Sequence, residues 1–321
     1  MEPQSAIFTL HGRTLRLIGD HAIYLNSIDG SDHSDNPLIA LVAGLPTPAT
    51  ILDVGANIGL TSIVMAARSP HDQIIAFEPI PDNLDFLRHN LATNHITNCR
   101  IIASAVGDTR GTVRMTSRGA WSLVRQTIPG APPDPTAQVS TETVPLTTLD
   151  GFCAEHLPGQ RIDLIKIDVE GFEPNVLAGA AHTIAQWQPT IFMEFNAWAL
   201  VLQNYNPLIF AQALWPSFDI TSKSGKTWET PERFTSDNMV RNQSIDDLIL
   251  RPRPGHKFNP MPITFGPHGT AAQTQLAALH NSTSWRITAP LRVLKQRIAG
   301  LTAAFGARKA RRFGTSPRNS N

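Results

Sequence analysis

Residues Ile51 to Gly59 read ILDVGANIG, an apolar run that ends on an aspartate and then turns through two glycines four residues apart. The run predicts a buried strand, and GLTSIVMAARS directly after it predicts a helix. A turn built on two glycines lets a ligand approach the backbone, because no Cβ stands in the way. The flanking residues decide which ligand. Gly59 is followed by Leu60, not by the Lys-Ser or Lys-Thr that a triphosphate loop needs. A dinucleotide loop needs G-x-G-x-x-G, whereas this turn reads G-A-N-I-G. What remains is D-x-G-x-x-x-G, with a carboxylate where a phosphate site would avoid one.

Reading outward from the turn, short apolar runs alternate with amphipathic stretches, which is the pattern of a βαβ sheet. QIIAFEP predicts a second strand and PDNLDFLRHNLATN a helix closed by Asn94. CRIIASAVGD, RIDLIKIDVEG and PTIFMEFN predict three more strands, with a helix through EPNVLAGAAHTIAQW between the last two. After residue 200, PLIFAQALW predicts a last helix, and FDITSKSG and IDDLILRP two strands that complete a seven-stranded sheet. The expected fold is α/β, a doubly wound and mostly parallel sheet covered on both faces. Ligands of such sheets bind beyond the carboxyl ends of the strands. Asp53, Glu78, Asp108, Asp168 and Glu194 all fall at or just past those ends, and five acids in succession describe a site.

Three regions flank or interrupt this scheme, which itself spans residues 49–250. Residues 1–48 predict a β-rich N-terminal extension, with IFTLHGRTLRLIG and HAIYLNSID as strands and a helix near Asn36 to Gly44. Residues 116–148 include IPGAPPDPTAQ, too rich in Pro and Gly for a regular element, so a loop or small insertion near the site mouth is expected. Trp121 and Arg125 there are candidates for stacking on a sugar. Residues 251–321 read as a basic linker followed by a helical tail. Leu291, Leu294, Ile298, Leu301 and Phe305 form one narrow apolar stripe, fit for docking on the protein's own domain, on another subunit or on a membrane.

The formal net charge of +1 hides a split. Asp247 is the last acidic residue, and 12 of the 27 Lys and Arg residues lie beyond it. A basic tail on an acidic body invites an anionic partner such as a membrane surface, a phosphorylated lipid or a nucleic acid. Two cysteines, Cys99 and Cys153, make neither a disulfide framework nor a metal motif. No run approaches the about 18 apolar residues of a spanning helix, and the N-terminus lacks the pattern of a signal peptide. A cytoplasmic protein is expected, peripheral to the inner face of the membrane if its tail attaches there.

Together the runs DVGANIGLTS, FEPIPDNLDFLRHN, SAVGD and LIKIDVEGFEPNVLAGA resemble the FkbM family of S-adenosylmethionine-dependent O-methyltransferases, over about residues 50–200. The D-x-G-x-x-x-G turn is the signature loop of class I methyltransferases generally. The resemblance implies a methyltransferase fold of that class, with S-adenosylmethionine held by Asp53, Gly55, Asn57, Gly59, Glu78 and Asp108. It places Asp168 and Glu170 at the transfer site and implies a hydroxyl acceptor on a sugar, a glycan or a polyketide-type natural product. The tail segment NSTSWRITAPLRVLKQRI is similar to C-terminal segments of bacterial enzymes that build surface polysaccharides, which points towards a glycan or lipid-linked intermediate.

A sugar hydroxyl is a poor nucleophile until its proton is accepted. Asp168 is the expected base or acceptor-orienting residue, and Glu170 shares its face if the strand continues, since side chains two apart do so. Lys166 has the same parity but lies deeper, where pairing with a carboxylate is its structural role. Asp53 has a structural role open to it as well, bracing the glycine turn. Glu194 and Asn196 end the fifth strand and with Asp168 offer oxygen ligands for a divalent cation. Three such donors more often make a polar network, and that reading is preferred to a metal. His89, His95 and His182 read as solvated. Other functions stay in view: a nucleic-acid methyltransferase, prompted by the basic tail but opposed by the acidic body, and a nicotinamide-dependent oxidoreductase or silent binding module on the same sheet.

Overall fold

A computed structural model of the protein describes residues 4–118, 121–124, 141–241 and 245–255. The N-terminal extension opens with a hairpin, β1 (Gln4–Leu10) and β2 (Arg13–Gly19). Its two-residue turn, His11-Gly12, has both φ angles positive (47° and 76°), the geometry that matches the twist of the flanking strands. Ala6, Phe8, Leu10, Leu15 and Leu17 face inward in strict alternation. Then α1 (Ala22–Ile28) follows where HAIYLNSID predicts a strand. The His21 ring nitrogen accepts from the Tyr24 backbone N–H at 3.3 Å, and Leu25 and Ile28, three apart, are buried. Capping and burial of one helical face override the β preference of Ile and Tyr. The expected helix α2 (Pro37–Ala43) lies between Asn36 and Gly44, with the Asn36 side chain capping Leu38 N–H.

The central part follows the sequence closely. It runs β3 (Thr50–Val54), α3 (Leu60–Ala66), β4 (Gln73–Phe77), α4 (Pro81–Thr93) and β5 (Cys99–Ile102). The third strand ends early: past Ile102 the chain leaves the sheet, and β6 (Ala105–Val106) joins β7 (Gly111–Arg118), β8 (Trp121–Val124) and β9 (Thr141–Thr147) in a separate four-stranded sheet. The described residues of the region expected as a loop are therefore mostly strand, while residues 119–120 and 125–140, Arg125 among them, lie outside the described residues. Helix α5 (Leu149–His156) leads into β10 (Leu164–Ile167). The helix expected next is two, α6 (Glu173–Ala178) and α7 (Ala181–Trp187), broken at Gly179, where a Cβ would lie 1.9 Å from the Gly107 carbonyl oxygen.

The chain ends its described part with β11 (Thr190–Asn196), α8 (Ala197–Leu202), α9 (Pro207–Leu214), β12 (Phe218–Ser222), α10 (Pro231–Arg241) and β13 (Ile245–Pro252). The main sheet has seven strands in the order β12-β13-β11-β10-β3-β4-β5, parallel from β11 to β5, with β13 antiparallel to both its neighbours. Strand β13 carries past residue 250 to Pro252, and Arg253 N–H still bonds Ser217 O. The tail stripe from Leu291 to Phe305 lies outside the described residues.

Both sheet faces are covered. Leu52, Val54, Ile75, Phe77, Ile165 and Ile167 point into a core shared with α5, α6 and α7. Ile51 and Ile74, one residue out of phase, point to the opposite core under α2 and α3. Helix α4 ties the N-terminal hairpin to the sheet. Asn90 and Asn94, one turn apart, each accept a backbone N–H and donate to a backbone carbonyl of β2, at Ile18 and Arg16, with distances of 2.7–2.9 Å. A second N–H of the Asn90 amide is engaged too, its Nδ2 lying 2.8 Å from Ile58 O in the glycine turn.

Candidate active site

The chain reverses its winding direction at β3, with β4 on one side and β10 on the other, and a cleft of about 210 Å³ opens at the carboxyl ends of these strands. The glycine turn, Glu78, Ser104 to Val106, Met115 and the segment from Asp168 to Phe172 line it, joined by Tyr24, Lys166 and Glu194.

The two glycines make room for the protein itself. A Cβ on Gly55, at φ 81°, would lie 1.9 Å from the Asp168 carbonyl oxygen. One on Gly59, at φ 101°, would meet Leu87 Cδ1 at 2.6 Å. Only glycine accepts these left-handed angles beside such close neighbours. Asn57 between them is also left-handed, at φ 51°, and its backbone N–H donates to Glu78 Oε2 at 2.8 Å.

Asp53 is fully buried beneath the turn and does not line the cleft. Its Oδ2 accepts from the hydroxyls of Thr61 (2.8 Å) and Ser62 (2.6 Å), which anchors the first turn of α3. Across the parallel ladder its in-register partner is Lys166, whose ammonium lies 3.3 Å from Asp53 Oδ1, 3.8 Å from Asp168 and 2.8 Å from Gly55 O. Burial alone would lower the Lys166 pKa, but Asp53 and Asp168 outweigh it and hold the amine charged. Lys166 thus pairs with carboxylates, as its structural reading has it, while Asp53 braces the start of α3 through two hydroxyls rather than the glycine turn through backbone N–H groups.

Glu78 follows β4 directly and is buried, yet it faces the cleft. Its Oε1 accepts from Ile80 N–H (3.0 Å) and Asn83 Nδ2 (3.2 Å). Burial pushes its pKa up against the pull of these donors and of Asn57 N–H. The carboxylate is fixed in place; Oε1 already accepts two bonds, while Oε2, accepting one, retains lone-pair capacity.

Opposite lies a group of three acids. Strand β10 stops at Ile167, so Glu170 does not reach the cleft by strand parity; it turns in through a left-handed φ of 53°. Oxygens of Asp168, Glu170 and Glu194 lie within 4.8 Å of one another. Asp168 is 46% exposed through the cleft mouth although protein surrounds it elsewhere. Enclosure raises its pKa, Lys166 opposes this, and the nearby Asp247 and Asp53 carboxylates add to the rise. Burial first, and then Asp168, push Glu170 up to about 7; burial, Asp168 and Glu170 push Glu194 up to about 10. Behind them Glu173 is fully buried at about 8, raised by burial; its Oε1 accepts from Val169 and Gly171 N–H and shapes the turn that carries Asp168 and Glu170.

The remaining sequence-derived candidates fall elsewhere. Asp108 is exposed and off the cleft, because the chain leaves the main sheet after Ile102; Ser104 to Val106 line the site instead. Asn196 caps α8 by accepting from Ala199 N–H at 3.0 Å, and Glu170 takes its place in the acid group. His89, His95 and His182 are exposed, as expected. Trp121 lies in β8, its side chain outside the described set. Tyr24 was missed, since its segment reads as a strand that would not reach the cleft. Glu173 was missed too, although the turn-and-cap pattern E-G-F-E holds a signal for it.

A seven-stranded sheet in this order, with one antiparallel strand, a D-x-G-x-x-x-G turn and an acid after the second strand, defines a class I methyltransferase. The chain carries a methyltransferase FkbM domain, whose sequence profile matches residues 53–210. Methyltransferase sdnD of Sordaria araneosa is 29% identical over 218 residues, covering 60% of this chain and 82% of that protein. The 2-O-methyltransferase NoeI of Sinorhizobium fredii is 26% identical over 210 residues, covering 62% and 82%. Among solved structures, a methyltransferase FkbM from Methylobacillus flagellatus aligns with TM-score 0.38 at 16% identity, over 65% of this chain and 47% of that one. The protein is a methyltransferase.

Proposed function

We propose that the protein is an S-adenosylmethionine-dependent O-methyltransferase whose acceptor is a hydroxyl of a sugar or glycan. The observation that carries this reading is the pair of acidic walls in one cleft: a buried, fixed Glu78 at the end of β4, facing Asp168, Glu170 and Glu194 across the strand ends. The residues fit the methyl donor. Glu78 offers acceptors for a ribose diol, Phe77, Val106, Met115 and Phe172 offer apolar walls for a flat ring, and the acid group favours a cationic sulfur. When bound, that cofactor supplies an activated methyl group. Everything else falls to the chain: it must hold the acceptor oxygen in line, exclude competing water and receive a proton. Asp168, solvent-open and beside Lys166, is the group placed to receive it, and Glu170 and Glu194 share the proton load of the site.

A relative named as a 2-O-methyltransferase supports oxygen as the acceptor atom. The tail's similarity to polysaccharide-building enzymes supports a glycan. A nucleic-acid acceptor is disfavoured, because the acids around the cleft would repel phosphates. The basic tail is proposed to attach the protein peripherally to anionic membranes, where lipid-linked glycans are assembled; no described helix is long and apolar enough to cross one. Incubation with a labelled methyl donor and extracts of glycan intermediates, followed by product identification, tests the acceptor. Label in a sugar ether is expected; label in nucleic acid, or none in any carbohydrate fraction, would overturn the reading.

A further inference from the structure

The methyl donor ends in an amino acid, and its carboxylate must be met in a cleft already rich in acids. On the proposed function, a hydrogen-bond donor in the cleft must meet it. The cleft-lining donors are mostly committed. Lys166 is bound to Asp53 and Gly55 O, and Thr61 to Asp53. Asn83 donates to Glu78, and Ser104 donates to Ala105 O and Pro145 O. Tyr24 is different. It projects from α1, outside the matched family domain, and lines the cleft beside Asn57, Leu60 and Thr61. Its hydroxyl makes no hydrogen bond among the described residues. Burial, Asp168 and Asp53 raise its pKa, so the group stays a neutral donor.

We propose that Tyr24 is a cofactor-binding residue supplied by the N-terminal extension, its hydroxyl donating a hydrogen bond to the carboxylate of the methyl donor. Helix α1 is thereby part of the binding unit, and the matched domain alone is incomplete. The hairpin fixes α1 in place, and the Asn90 and Asn94 bonds fix the hairpin to the sheet.

Calorimetric titration of the full chain with S-adenosylhomocysteine and with methylthioadenosine, which lacks the amino-acid end, tests this on wild type and Tyr24→Phe. Wild type is expected to bind both, and Tyr24→Phe to lose roughly tenfold in affinity for S-adenosylhomocysteine, the size of one hydrogen bond to a charged group. Its affinity for methylthioadenosine should be unchanged. Equal affinity of Tyr24→Phe and wild type for S-adenosylhomocysteine would overturn the inference alone, as would a parallel loss for both ligands, the mark of a merely structural role. A wild type that binds neither would overturn the proposed function with it.

Discussion

Lys166 and Asp53 face each other across adjacent parallel strands, ammonium to carboxylate at 3.3 Å, both buried beneath the glycine turn. The pair joins strand, turn and site: Lys166 also holds the Gly55 carbonyl and the near side of Asp168. Removing one partner strands a charge in the interior. Lys166→Met is expected to cost about 3–5 kcal/mol in urea unfolding. The double variant Lys166→Met with Asp53→Leu should recover a large part of that loss, and strictly additive losses would show that the two do not interact.

The two glycines of the turn should respond unequally. In Gly55→Ala the new methyl meets backbone, the Asp168 carbonyl, which cannot swing aside; in Gly59→Ala it meets the end of a leucine side chain. Both residues sit at positive φ, so both substitutions carry strain. Gly55→Ala should abolish S-adenosylhomocysteine binding, while Gly59→Ala should weaken it and lower the melting temperature by a few degrees. Calorimetry and thermal scans give the order, and the reverse order would contradict the packing described.

Much of this was legible beforehand. The parallel strands show as apolar runs because both faces of the sheet are buried, and Glu78, Asp168 and Glu194 end such runs and do meet in the cleft. What did not show was decided by long-range contacts. The segment around Tyr24 has strand-like composition, and only the His21 cap and the burial of Leu25 and Ile28 make it a helix. Asp108 follows an apolar run as the other acids do, but that run changes sheets at Ser104, whose hydroxyl bonds Pro145 O more than forty residues on. No local pattern carries such a switch.

The acid group also sets a pH dependence. Glu170, Glu173 and Glu194 have folded-state pKa values of about 7, about 8 and about 10, above the ordinary carboxylate value. A raised carboxylate makes the folded state bind more protons, so stability falls as pH climbs from the unfolded value to the folded one. The melting temperature should therefore drop from about pH 4.5 up to about pH 10, most steeply below about pH 7 where all three acids contribute, and Glu194→Gln should flatten that slope. An unchanged slope in the variant would show that Glu194 is already ionised at neutral pH.

Asp168→Asn should keep cofactor affinity and lower turnover by about a hundredfold or more, the usual worth of a positioned base. Matched calorimetry and methyl-transfer assays separate the two effects, and full activity in the variant would remove Asp168 from the proton step. Liposome flotation of the full chain against a version ending at Gly255, which spares β13, tests the tail in the same spirit. Only the full chain should float with anionic vesicles.

The central claim is that the cleft beyond β3, β4 and β10 is built for a ribose-bearing sulfonium ligand. A crystal structure with S-adenosylhomocysteine tests it most directly. The Glu78 carboxylate should lie within about 3 Å of both ribose hydroxyls, with the sulfur on the side of Asp168. Ligand bound with Glu78 remote from any sugar hydroxyl would contradict the account.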